Sequence, residues 1–255
     1  MTRKINRNLY PDYPLLAVKS LIFATILLVV SVCYALLCMQ SDRSRESRGH
    51  IAAIHINHEI RLDAQHPAPE WKLASAIRFS HDWQGRNPDP ARETQARVLW
   101  SDAILYIRFD CSYRDIYVFP DSDPNGRRNE LWDRDVAEVF LQPDPSRIRY
   151  YREFEISPNG MWIDLDIFPG GLSDLKSGVQ RSVWLDQASH TWAAELAIPL
   201  RALTANFDPK AVWRINFYRI EGRDPRTYLA WQPTNSPEPN FHVPEAFGTL
   251  GFESQ

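Results

Sequence analysis

Hydrophobic and polar residues alternate along much of the chain after residue 50, as they do in β-strands with one buried face and one exposed face. A helical period of 3.6 residues is convincing nowhere in this region. The alternating segments occur in pairs joined by short polar stretches, which predicts four hairpins: 96–100 with 104–111, 151–157 with 161–168, 179–186 with 191–198, and 212–220 with 227–233. A last strand is predicted at 247–253. Many short strands at hairpin spacing predict an all-β fold, an antiparallel and jelly-roll-like β-sandwich.

One apolar segment, residues 21–39, breaks this pattern. Its 19 residues carry no charge and are about as many as a helix needs to cross the hydrocarbon core of a bilayer. Basic residues at positions 3, 4, 7 and 19 precede the segment, which favours a cytoplasmic N-terminus and a transmembrane anchor. A cleaved signal peptide is the alternative. The remaining chain is therefore predicted to be exported, either anchored in the inner membrane with its domain in the periplasm or outside the cell, or secreted after cleavage.

These patterns divide the chain into four predicted regions. They are a cytoplasmic segment at 1–20, an anchor or signal helix at 21–39, a polar linker at 40–50 and one β-sandwich at 51–255.

Composition narrows the choice of partners. The net charge of −3 and the isoelectric point near 6.2 show that the chain is not a polycation, so nucleic acid is not an expected partner. Nine Trp and ten Tyr favour β-structure or a surface that stacks on flat ligands. Cys111 is the single cysteine after residue 40, so no disulfide is expected within the domain, and the residue is interpreted as a small buried hydrophobe.

The strand in "NELWDRDVAEVFLQP" (129–143) carries a carboxylate at its centre. Ala137, Val139 and Leu141 share an apolar face that suits packing against an opposite sheet. Glu138 then lies on the outer face, close to Trp132 at the start of the strand. Polar residues are assigned to one face of later strands in the same way, and these are Glu153, Glu155 and Ser157; Trp162, Asp164 and Asp166; and Arg214, Asn216 and Tyr218.

These polar faces have two interpretations. They could simply be solvated, as the outer faces of sandwiches usually are. Aromatic rings next to carboxylates and amides are also what a pyranose requires, because its C–H face stacks on a ring and its hydroxyls need hydrogen-bonding partners.

Several segments in order resemble the family 9 carbohydrate-binding modules. They are "RLDAQHPAPEWKLA", "ARVLWSDAILYIRFDC", "LWDRDVAEVFLQP", "YLAWQPT" and "FHVPEAFGTLGF", and together they span about residues 60–252. The third is similar to a signature W-x-x-D-x-x-E followed by a hydrophobic strand. The resemblance implies a non-catalytic β-sandwich that holds a glycan end or a small saccharide between two aromatic rings, with a role in polysaccharide breakdown and a separate glycoside hydrolase as a further partner.

The resemblance also implies a site. Trp132 corresponds to one stacking ring and Glu138 to the carboxylate beside it, while Phe241 takes the place of the second ring, where better-studied members carry Trp. Asn216 resembles a polar strand residue of the family. Two positions depart from the family pattern, since Tyr218 stands in place of an amide and Glu155 in place of an arginine.

A structural calcium ion is the one cofactor considered. "DSDPNG" (121–126) resembles the start of a calcium-binding loop, but Trp132 occupies the position of the twelfth-residue glutamate of an EF-hand, which excludes that motif. A looser oxygen site would use Asp121, Asp123 and Asn125.

Three other functions are weighed. A glycosidase would need paired carboxylates, such as Glu138 with Glu155 or Asp164. A haem-binding sandwich of the cytochrome type would use His242 and Met161 as axial ligands. A protein-interaction module could keep the fold without binding sugar. The sequence favours non-catalytic saccharide binding over each of them.

Overall fold

The computed structural model describes residues 49–121, 123 and 126–254. Thirteen strands are found in this part of the chain: β1 His50–His55, β2 Ile77–Phe79, β3 Thr94–Trp100, β4 Ile104–Ser112, β5 Val136–Gln142, β6 Tyr151–Ile156, β7 Trp162–Phe168, β8 Gly171–Asp174, β9 Gln180–Asp186, β10 Thr191–Pro199, β11 Trp213–Glu221, β12 Thr227–Ala230 and β13 Gly248–Glu253. The helical turns are short: α1 Leu200–Leu203 and 3-10 turns at Pro69–Lys72, Pro90–Arg92, Leu131–Asp133 and Pro244–Ala246. The all-β prediction is confirmed.

The four predicted hairpins form antiparallel pairs. They are β3 with β4, β6 with β7, β9 with β10, and β11 with β12. The last predicted strand is β13. Alternation over both arms of each hairpin therefore identified the local pairing correctly, because neighbouring strands of a hairpin need no information from distant parts of the chain.

All strands belong to one curled sheet with the order β8-β7-β6-β5-β11-β13-β1-β3-β4-β10-β9, with β12 added to β11 and β2 to β3. The prediction of a purely antiparallel sheet is wrong at one strand, since β1 runs parallel to both β13 and β3. Strand β1 begins at His50, the last residue of the predicted linker, and the compact unit that contains it begins at Gly49.

The curl brings the two halves of the sheet face to face around the main core. Phe109 of β4 meets Phe217 of β11 with ring centroids 5.8 Å apart. Arg219 of β11 lies over the ring of Trp192 of β10 at 5.0 Å. The predicted inward set Ala137, Val139 and Leu141 is buried in this core. This layering is consistent with the predicted β-sandwich.

A second apolar cluster covers the outer face of β5, β6, β7 and β11. It includes Met161, which directly precedes β7, and Ile163, Leu165 and Ile167 of β7. These residues lie on the same side of the sheet as Phe140 and Tyr218. The predicted faces of β7 are therefore reversed: Trp162 packs against the main core, and Asp164 is buried on that side. The reason is that Phe241 and Phe247 cover the outer face, so both faces of β7 are largely buried.

No helix of the described residues is long and apolar enough to cross a membrane. The predicted cytoplasmic segment, the anchor at 21–39 and the linker as far as residue 48 lie outside the described residues.

Candidate functional site

A cavity of about 210 Å³ opens on the outer face of the sheet, beside the second apolar cluster. Aromatic, apolar and carboxyl groups line it: Trp132, Glu138, Phe140, Glu153, Leu165, Leu172, Ile220, Tyr228, Pro239, Asn240, Phe241 and His242. A cavity of this size is smaller than the roughly 300–1,000 Å³ of sites for drug-sized ligands, so it suits a single small ring.

Trp132 stands at the edge of the cavity on the 3-10 turn Leu131–Asp133. Leu131, the first residue of the turn, is buried, and its burial fixes the position of the turn. Asp135 holds the chain after the turn, because its carboxylate accepts hydrogen bonds from the backbone N–H groups of Tyr117 (2.8 Å) and Gly222 (2.7 Å). Burial raises the pKa of Asp135 to about 6. Trp132 itself is half-buried and packs against the second cluster.

Glu138 lies in the middle of β5, with Tyr218 of β11 opposite it on one side and Glu155 of β6 on the other. Glu153, two residues before Glu155, pairs with Phe140 on the same face. The side chains of Glu138 and Glu153 are 2% and 3% exposed, and both line the cavity. Glu138 Oε1 and Glu153 Oε2 have no hydrogen-bond partner among the described residues.

Burial raises the pKa of all three glutamates, because the ionised form loses its hydration. The pKa of Glu138 is raised further by the nearby Glu153, and Arg226 acts in the opposite direction. The pKa of Glu155 is raised further by Glu138 and Glu153. Like charges at short range cannot all ionise, so the cluster favours its neutral form.

A hydrogen-bonded aromatic pair supports the cavity, and Phe241 is its lining member. The rings of Phe241 and Tyr218 stack with centroids 4.2 Å apart and planes 11° from parallel. The Tyr218 hydroxyl donates to the carbonyl oxygen of Phe241 (3.1 Å) and accepts from Asn216 Nδ2 (2.7 Å). Tyr218 and Asn216 are fully buried, so they fix the position of Phe241 without reaching the cavity.

The loop before β13 supplies lining residues that the sequence did not indicate. Asn240 Oδ1 accepts a hydrogen bond from the backbone N–H of His242 (2.9 Å). His242 Nδ1 lies 2.8 Å from the Tyr151 hydroxyl, and its ring is 5.4 Å from that of Phe140. A second cavity, of about 340 Å³, shares Leu172 and His242 with the first, so the two lie next to each other.

Of the six residues predicted to bind ligand, three line the cavity and three do not. Trp132, Glu138 and Phe241 line it. Asn216, Tyr218 and Glu155 are buried on β11 and β6, the two strands that pair with the strand of Glu138, in positions where they support the lining. The lining residues missed by the sequence analysis include Glu153, Tyr228, Asn240, His242 and Leu172. Glu153 could have been found, because it has the same strand parity as Glu155; the loop residues carry no such periodic signal.

The residues of the metal and haem hypotheses are placed as follows. Asp121 forms an ion pair with Arg128, which lowers the pKa of the Asp121 carboxyl, while Asn125 lies outside the described residues. No group of three His, Cys, Asp or Glu side chains within the described ranges could hold a metal ion. Met161 is buried in the second cluster, and His242 is exposed.

Comparison with known proteins gives a family match over most of the chain. A family model described as "Carbohydrate family 9 binding domain-like" matches residues 62–254. An "Extracellular protein" of Arthroderma benhamiae is 24% identical over 208 residues, which cover 74% of this chain and 89% of the relative. The human "UPF0462 protein C4orf33" is 28% identical over 188 residues, covering 70% of this chain and 88% of that protein.

Solved structures show the same fold at low sequence identity. A Bacteroides uniformis protein named as a candidate carbohydrate-binding protein has a TM-score of 0.64 at 16% identity, covering 80% of this chain and 99% of that one. A family 9 carbohydrate-binding module of Caldicellulosiruptor kristjanssonii in complex with cellotriose has a TM-score of 0.58 at 13% identity, covering 81% and 94%. The complex of that module with glucose has the same TM-score and identity.

Proposed function

Because the chain belongs to the carbohydrate family 9 binding domain-like family, we propose that its β-domain binds a saccharide at the cavity beside Trp132. Domains of this family are non-catalytic binding modules, which confirms the prediction that the chain is not an enzyme. The observation that carries the proposal is one cavity in which aromatic rings and carboxyl groups of four separate elements meet: the 3-10 turn, the strand β5, the strand β6 and the loop before β13.

The proposed binding mode assigns a role to each lining group. The indole of Trp132 and the ring of Phe241 pack on the apolar C–H faces of a sugar ring. Glu138 and Glu153 hydrogen-bond to polar substituents of the sugar, and these bonds are strong because both carboxyl groups are shielded from water. Asn240 and His242 offer further polar contacts where the cavity opens.

We propose a glycan end or a short saccharide as the ligand. The first cavity suits one sugar unit, and the second cavity borders it at Leu172 and His242, so a second unit would lie there. The Caldicellulosiruptor module, which has this fold, was solved with cellotriose and with glucose, and this supports saccharides of one to three units as the first ligands to test.

A glycan array followed by calorimetric titration tests the proposal. The full-length chain, kept in a sugar-free detergent, should bind at least one saccharide on the array, and the titration should give one site per chain. Binding that persists unchanged when Trp132 is replaced by Ala would place the ligand elsewhere. A chain that binds no saccharide on a broad array would contradict the proposal.

The setting of the domain is a further part of the proposal. The uncharged segment at 21–39 supports anchoring in the inner membrane with the domain outside the cytoplasm. A binding module at that position would retain saccharides for a separate glycoside hydrolase, because the domain itself has no catalytic role. A structural calcium ion held by Asp121, Asp123 and Asn125 is a further part of the proposal.

A further inference from the structure

Two glutamates of the cavity, Glu138 and Glu153, are buried without a cation to balance them. Neither forms an ion pair with any described residue, and one oxygen atom of each has no hydrogen-bond partner. Elsewhere the same fold pairs a buried glutamate closely, since Glu195 lies 2.6 Å from Arg108 Nη1. Burying an unpaired carboxyl group destabilises a protein, so two of them lining one cavity indicate a ligand that supplies the missing partner.

The described chain does not place a cation in the cavity itself. No arginine or lysine is found among the residues that line it. Arg226 favours the ionised form of Glu138, but its Nη2 donates to the carbonyl oxygen of Arg134 (2.8 Å) and it is not part of the lining. His242 is exposed and its Nδ1 is engaged with the Tyr151 hydroxyl.

The other side chains of the cavity favour an organic cation over a metal ion. Trp132, Tyr228 and Phe241 present aromatic rings to the same space as the two carboxyl groups. Aromatic faces attract ammonium groups, and they offer no ligands to a hard metal cation. The absence of a metal-binding group of three side chains in the described residues agrees with this choice.

We propose that the saccharide bound here is an amino sugar whose free, protonated amine donates hydrogen bonds to Glu138 and Glu153. This inference rests on the proposed saccharide-binding function and names the class of sugar. An ammonium group has three donors, which is enough to satisfy both unpartnered carboxyl oxygens, while the sugar ring packs against Trp132 and Phe241. A neutral hydroxyl at the same position supplies no counter-charge, so it would leave the two carboxyl groups in their neutral form and form only ordinary hydrogen bonds with them.

Binding of the amine should release protons. The titratable and charged groups around the two carboxyls are Glu155, Tyr151, Tyr218, His242, Asp133 and Arg226. Burial and the neighbouring acids favour the neutral forms in the free protein, whereas an ammonium group favours the ionised forms. The heat of binding should therefore change with the ionisation enthalpy of the buffer.

Three trisaccharides with the same β-1,4 linkage test the proposal, because they differ only at carbon 2: the glucosamine, N-acetylglucosamine and glucose trimers. The full-length chain in a sugar-free detergent is titrated with each. We expect the glucosamine trimer to bind about ten- to hundredfold more tightly than the two neutral trimers, as for hydrogen bonds that involve a charge. We expect Glu138→Gln and Glu153→Gln to lose most of this preference.

Glu238→Gln is the matched control, because Glu238 is exposed, precedes the lining residue Pro239 and does not itself line the cavity. The control should keep the preference, and a melting curve of every variant establishes that it folds. Neutral trimers that bind as tightly as the glucosamine trimer would overturn the amino-sugar inference and leave saccharide binding intact. Failure of all three trimers and of the glycan array would instead overturn the proposed function. The comparison of ligands on the unmodified chain decides the inference even if a variant does not fold.

Discussion

At Trp132, the contribution of one side chain to stability can be distinguished from its contribution to saccharide binding. It is half-buried on a short turn, whereas Trp192 is fully buried in the main core. We expect Trp132→Ala to lower the free energy of unfolding by about 1–2 kcal/mol, less than the roughly 3–5 kcal/mol of a core Trp→Ala change. It should weaken saccharide binding at least tenfold, because it removes a stacking ring. Thermal midpoints and titrations measure the two effects.

Trp184→Ala is the control for this experiment. Trp184 is also half-buried, but it lies on β9 and does not line the cavity. Strand β9 is at one end of the sheet order, and β8, which carries the lining residue Leu172, is at the other. Trp184→Ala should change the thermal midpoint by a similar amount and leave the affinity unchanged. If both variants bind saccharide equally well, Trp132 is not a stacking ring.

The buried carboxyl group of Glu155 should make the stability of the fold depend on pH. Burial and its acidic neighbours raise its pKa in the folded state well above the usual value of 4.5. A group with a raised folded-state pKa stabilises the fold fully below its unfolded pKa, and this stabilisation is lost as the pH rises through the folded-state value. The free energy of unfolding should therefore fall as the pH rises from about 4.5.

Glu155→Gln tests this expectation because it keeps the shape of the side chain and removes the ionisation. At pH 8 the variant should be more stable than the unmodified chain by about 1–3 kcal/mol, and the difference should shrink toward pH 4. Glu195→Gln should have the opposite effect at pH 8, because it removes the buried one of the two carboxylates, Glu195 and Asp110, that pair with the buried Arg108. A Glu155→Gln variant that is less stable than the unmodified chain at pH 8 would contradict the expectation.

At the residue scale, the sequence indicated some members of the cavity and missed others for a physical reason. Glu138 stands out because it interrupts an apolar strand, and Trp132 because it precedes it. Tyr218 lies on the right face but is covered by Phe241, and Asn216 is buried beside Tyr218, to whose hydroxyl it donates. The alternation of a strand cannot show which residues a distant loop will cover. Asn240 belongs to that loop, whose course depends on tertiary contacts.

At the element scale, β7 shows the limit of the alternation rule. The rule assumes that one face of a strand is buried and the other is exposed to solvent, so it predicted that Ile163, Leu165 and Ile167 face the main core. These residues face the second cluster instead, because the loop that carries Phe241 and Phe247 makes the outer face apolar too. A strand with two buried faces gives the same sequence pattern in either orientation, so only the register with β6 determines it.

Strand β8 should respond to ligand more than any central strand. It lies at the end of the sheet order, all four of its residues are exposed, and Leu172 lines both cavities. Its amides should therefore exchange hydrogen faster than those of β5, which has a partner strand on each side. A bound saccharide should slow exchange in β8 by about tenfold, because contact with Leu172 opposes local opening.

Strand β9 is the control for hydrogen exchange. It lies at the other end of the sheet order, and the cavity lining does not include it. Its exchange rates should not change when saccharide is added. Equal slowing in β8 and β9 would indicate a general stabilisation of the fold and would argue against a ligand at the cavity.

At the scale of the whole molecule, the class of the fold was predictable and the closure of the sheet was not. Hairpins follow from local alternation, so β3–β4, β6–β7, β9–β10 and β11–β12 were all predicted. The pairing of β1 with β13 joins residues about 200 positions apart, such as His50 and Thr249. Such a pairing leaves no local signal, because it depends on residues from the two ends of the domain meeting.

The position of the domain relative to a membrane is the last prediction, and the uncharged segment at 21–39 is its basis. The full-length chain, expressed in a bacterium, should fractionate with membranes and resist extraction by carbonate, because about 20 apolar residues suffice to span a bilayer. A reporter fused after residue 255 should be active only outside the cytoplasm, since the basic residues at positions 3, 4, 7 and 19 favour a cytoplasmic N-terminus. A soluble product that begins between residues 39 and 50 would identify the segment as a cleaved signal peptide, while a reporter active in the cytoplasm would contradict export itself.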